Sequence, residues 1–115
     1  MNIAVASLGL EVSSYFENCT NYNCFTVEEG RISTYRNLPI LPFGTPGAAQ
    51  ACAQTLHDLD VDTVIVGCIN PQAKLILENE GLVVFSGAIG DAQRAAEAYI
   101  TNTFIASDES CDEYL

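Results

Sequence analysis

The chain has 115 residues, 49% of them apolar, and a formal net charge of −11. Those figures suit a single globular domain with a core of its own and exclude a disordered chain. Only Arg31, Arg36, Lys74 and Arg94 are cationic, so phosphate backbones and anionic membrane surfaces are repelled, and neither nucleic acid nor membrane is expected as a partner. No apolar run reaches the roughly 18 to 20 residues that cross a bilayer. The opening "MNIAVAS" reads as a strand without a basic leader, which points to the cytoplasm. The five cysteines, at 19, 24, 52, 68 and 111, lack zinc-finger spacing and are expected as reduced thiols.

In chain order, "NIAVAS" (residues 2–7) is a buried strand, followed by a polar loop, "GLEVSSYFENCTN". "YNCFTVEEGRISTYRNL" reads as an antiparallel hairpin turning at Glu29-Gly30, with β-branched and aromatic residues on both arms. "PILPFGTPG" is a loop that ends in an N-cap at Thr45 and a first helical residue at Pro46. A helix through "GAAQACAQTLHDL" follows, with Ala48, Ala51, Cys52, Leu56 and Leu59 on one stripe. "VDTVIVG" is apolar at nearly every position, as suits a strand covered on both faces. Asn70 caps a second helix with Pro71 behind it, and Gly81 stops that helix. "LVVFSG" is the last strand, and "GDAQRAAEAYITN" a third helix opening near Asp91. Residues 1–105 are expected as the domain and residues 106–115, "ASDESCDEYL", as an acidic flexible tail.

The order β β β α β α β α implies parallel neighbours in the second half and a hairpin in the first. One consistent solution is an α/β, ribonuclease H-like three-layer fold. Its mixed five-stranded sheet has the order 3-2-1-4-5, with strand 2 antiparallel and three helices on its faces. A flavodoxin-like sheet would need a helix between the first two strands, where the loop leaves room only for a short one.

In this topology the helix N-termini gather at the edge where open α/β sheets bind ligands. The loops after strands 1 and 4 become neighbours there. One supplies Ser7, Gly9, Ser13, Ser14, Tyr15 and Cys19; the other supplies Gly67, Cys68 and Asn70. Helix N-termini favour anions, and a thiol at such an end is prone to ionise. The structural alternative is that Cys68, after a buried strand, is packed as a small apolar group, as Cys24 and Cys52 are expected to be.

Catalytic readings find little support. His57, the one histidine, falls at the far end of the first helix, so no Cys–His or Ser–His pair forms at the site. Strand 1 has no carboxylate for a ribonuclease H magnesium site, and "SLGLEV" is not a dinucleotide-binding turn.

"MNIAVASLGLEVSSYF", "VDTVIVGCINPQA" and "GDAQRAAEAYI" together resemble the dinitrogenase iron–molybdenum cofactor biosynthesis family (NifX/NifB C-terminal-like domains) over roughly residues 1–104. The resemblance implies a ribonuclease H-like fold and a non-enzymatic domain. Such a domain binds or carries an anionic metal–sulfur cluster, an iron–molybdenum cofactor precursor or a thiomolybdate-like species, among metallocluster assembly proteins. The chain departs from the family pattern twice. Tyr15, Phe16 and Glu17 stand where a histidine, a phenylalanine and a glycine are common, and Cys68 and Asn70 stand where glycines are expected. On this reading Cys68 and Cys19 are the metal ligands. Ser7, Ser13, Tyr15 and Gly67 line the pocket, and amides around Asn70, Gly44, Thr45 and Gly47 cradle the anion. The alternative of another class is a degenerate, metal-free member acting as a protein-interaction or regulatory module. A thiol-redox enzyme using Cys68 is a third, weaker reading.

Overall fold

The computed structural model describes residues 1–16, 19–39 and 48–101. Gly44, Thr45, Gly47 and the tail at 106–115 lie outside the described residues. The strands among the described residues are β1 (Asn2–Leu8), β2 (Glu11–Val12), β3 (Asn21–Glu28), β4 (Arg31–Pro39), β5 (Thr63–Ile65) and β6 (Val83–Phe85). The helices are α1 (Ala48–Asp58), α2 (Pro71–Asn79) and α3 (Ala92–Ile100).

The hairpin forms because Glu29 and Gly30 both take positive φ, 54° and 77°. That pair of left-handed residues matches the twist of the flanking strands. β3 runs antiparallel to both β4 and β1, with Cys24 opposite Ala4 and Arg36. β5 is parallel to β1, and β6 to β5. The sheet order β4-β3-β1-β5-β6 is therefore the expected 3-2-1-4-5 arrangement. β2 is an addition, pairing antiparallel with the end of β1. Two residues carry no periodicity, and a partner reached through a turn leaves no local signal.

The pleat of β1 divides the core. Ala4 and Ala6 face one side, where Tyr22, Cys24, Val64 and Val66 meet Ala53 and Leu56 of α1 and Ala73 and Leu77 of α2. Ile3 and Val5 face the other, where Phe25, Val27 and Ile65 meet Ala92, Ala95 and Ala96 of α3. Those alanines recur at i, i+3 and i+4, so α3 presents a stripe of small residues to the sheet. Burying a leucine such as Leu56 or Leu77 contributes about 1.5–3 kcal/mol. Cys24 and Cys52 are buried, as the sequence indicates. No helix among the described residues is long and apolar enough to cross a membrane.

Candidate functional site

β1, β4, β5 and β6 run in one direction, so the chain leaves β1, β5 and β6 at the same edge of the sheet. The loops after β1 and β5 touch there. The Phe16 amide donates to the Cys68 carbonyl at 2.8 Å, and the Gly67 amide donates to the Ser13 carbonyl at 3.0 Å. Tyr15 and Cys68 form a parallel bridge. This approach requires glycine at 67: a Cβ there would lie 2.8 Å from the Ser13 and Ser14 carbonyl oxygens. Backbone atoms cannot yield as a flexible side chain can. The two loops are thus neighbours, as the topology implies.

Several of the expected site residues are built into the frame. Ser7 is fully buried; its hydroxyl donates to the Val5 carbonyl and accepts from the Asn23 amide, each at 2.8 Å. Ser13 is also buried, and its hydroxyl donates to the Tyr15 carbonyl at 2.6 Å. Cys68 is fully buried and, rather than being a reduced thiol, is held in a disulfide. Cys19 is 4% exposed and packs in the α1/α2-side core with Phe16 and Tyr22. Tyr15 and Asn70 are half-buried, and Ser14 is exposed.

The helix ends at this edge have most of their donors satisfied. Asn70 Oδ1 accepts from the Gln72 and Ala73 amides at 2.7 and 3.2 Å, and its carbonyl accepts from the Lys74 amide. Pro71, first in α2, has no amide hydrogen. At α3, Asp91 Oδ2 accepts from the Arg94 amide at 3.0 Å, and the Ala92 amide donates to the Leu10 carbonyl at 2.9 Å.

Cys19, Cys24 and Cys52 are reduced. Burial pushes the Cys24 thiol above its ordinary range, with the Arg36 charge acting the other way. Burial likewise raises Cys52, opposed by the nearby Tyr22 hydroxyl. Tyr22 is 1% exposed, and its hydroxyl makes no hydrogen bond of ordinary geometry. The Cys52 sulfur lies near enough to influence it, but sulfur is a weak acceptor. Burial first, then the surrounding thiols, hold Tyr22 well above a usual tyrosine. No three His, Cys, Asp or Glu side chains among the described residues are arranged to hold a metal ion. His57 is exposed in the last turn of α1, at the opposite edge, beside Asp58.

One polar network was not anticipated. Asn21 Nδ2 donates to the Gly9 carbonyl and to Asn37 Oδ1, and its Oδ1 accepts from the Gly9 amide. Asn23 Nδ2 donates to Ser7 Oγ and the Gly9 carbonyl, while the Tyr35 hydroxyl donates to Asn23 Oδ1 at 2.5 Å. These bonds anchor the loop after β1 to β3 and β4. The signal was "NYNCF", in which asparagine alternates with Tyr22 and Cys24: one face is apolar and the other needs partners.

Solved structures share this fold. PH0822 superposes with a TM-score of 0.82 at 17% identity, over 96% of this chain and 97% of that one. The apo form of the orange protein from Desulfovibrio gigas gives 0.73 at 18% identity, over 92% of each chain. A Thermotoga protein, TM1290, described as NifB-like, gives 0.73 at 19% identity, over 93% of this chain and 97% of that one. No curated protein matches the sequence. The family described as "Dinitrogenase iron-molybdenum cofactor" matches residues 1–102, so the chain belongs to the dinitrogenase iron–molybdenum cofactor family.

Proposed function

We propose that the chain is a non-enzymatic binding or carrier domain for an anionic metal–sulfur cargo, a cofactor precursor or a thiomolybdate-like species. The observation that carries this reading is the family match over residues 1–102. The cargo would sit where the loops after β1 and β5 meet, with Ser7, Ser13, Tyr15, Gly67 and Asn70 around it. Cys68 and Cys19 are the proposed ligands, since thiolates suit soft metals. Both sulfurs are buried and Cys68 is in a disulfide. Uptake on this reading therefore needs a dithiol reductant and a local opening of the 13–16 and 67–70 loops. Two electrons and two protons from the dithiol convert the disulfide to two thiols. The reading places the protein among metallocluster assembly proteins.

The test is anaerobic incubation with tetrathiomolybdate and dithiothreitol, followed by molybdenum analysis of the desalted protein. Bound molybdenum that is lost in Cys68→Ser supports the site; equal uptake by the variant removes Cys68 from it.

A second reading is a metal-free interaction module. It is favoured by the burial of both thiols and by the absence, among the described residues, of a three-ligand group. It predicts no metal or acid-labile sulfide in protein purified without oxygen.

A further inference from the structure

On the α3 side of the sheet, a cavity of about 150 Å³ is lined by Leu10, Asn23, Phe25, Tyr35, Asp91, Ala92 and Gln93. The Phe25–Tyr35 ring pair, with centroids 5.4 Å apart, forms part of its wall, and Asp91 is the one charged residue of the lining. Leu10 and Ile89 are exposed, to 68% and 88%. Hydrogen bonds from Val12 N to the Gly90 carbonyl and from Ala92 N to the Leu10 carbonyl tie the segments that carry Leu10 and Ile89 to each other.

An anion does not suit this cavity. The α3 amides of Ala92, Arg94 and Ala95 are all engaged, by the Leu10 carbonyl and by Asp91, and Asp91 itself repels negative charge. Two aromatic side chains, the apolar Leu10 and Ala92 and one acidic residue instead match a planar cation on an apolar stem. The net charge of −11 attracts such a group from a distance. We propose that this cavity docks an arginine side chain presented by a basic partner protein, whose apolar residues cover Leu10 and Ile89. The proposal is independent of the cargo reading, because the surface is complete without cargo.

The probe is n-butylguanidinium, titrated into ¹⁵N-labelled protein at low salt, with butyrate as the control. The expected result is saturable shifts of the Leu10, Phe25, Tyr35 and Gln93 amides with the guanidinium only, weakened at least about threefold in Asp91→Asn. Asparagine keeps the N-cap of α3, so this variant removes charge without removing the helix start. Absent shifts, equal shifts with butyrate, or undiminished binding by Asp91→Asn overturns the proposal. So does a protein-concentration dependence of the same amides without probe, which marks the face as a contact between two copies.

Discussion

At the scale of single residues, the contact between the two loops depends on what is missing at position 67. A Cβ there meets backbone oxygens at 2.8 Å on the facing loop. Gly67→Ala should therefore cost about 1–3 kcal/mol, in the range of other overpacked sites. Urea denaturation measures it; a loss below about 0.5 kcal/mol would mean that the loops separate easily. The same contact explains why site residues were only half legible in the sequence. Their neighbourhood followed from strand order, but their burial did not. Ser7 and Ser13 look like pocket polar groups in the sequence, yet both are consumed by bonds to nearby carbonyls. A hydroxyl's partner is a matter of local geometry that residue type does not encode. The disulfide state of Cys68 was equally hidden, since cysteine spacing does not determine pairing.

At the scale of elements, local chemistry and packing agree. Asn70 followed by Pro71 predicts the start of α2, and the cap forms with both expected amides. Asn70→Ala should destabilise the fold by about 1 kcal/mol, while Asn70→Asp should nearly preserve it. Thermal unfolding of the two variants checks this, and equal losses would show that the side chain matters for something other than capping. The strands, helices and turn at Glu29-Gly30 were legible because each carries a period, a cap or a left-handed pair. β2 was not, because its two residues are held by partners elsewhere in the chain. Val12 N donates to the Gly90 carbonyl at 2.8 Å, and Glu11 bridges Asp91. These contacts tie the loop after β1 to the start of α3. The network of Asn21, Asn23, Asn37 and Tyr35 secures the same loop from the other side.

At the scale of the whole molecule, Tyr22, Cys24 and Cys52 are all raised, chiefly by burial. A raised acid stays neutral in the folded chain while the unfolded chain ionises at its ordinary value, 9.0 for a thiol and 10.0 for tyrosine. Unfolded chains then bind fewer protons, so stability is fully present below about pH 9 and falls as pH rises beyond it. The melting temperature should therefore decline between pH 9 and 10.5, with a shallower slope above pH 10 in Tyr22→Phe. A flat profile would contradict the burial of these groups.

The proposed function puts the cargo at the edge where β1 and β5 end. The most direct test maps the cargo: ¹⁵N spectra of the reduced, anaerobic protein with and without tetrathiomolybdate. The account predicts saturable shifts concentrated at residues 13–16 and 67–72. No shifts, or shifts centred on the opposite edge around His57 and Asp60, would contradict it.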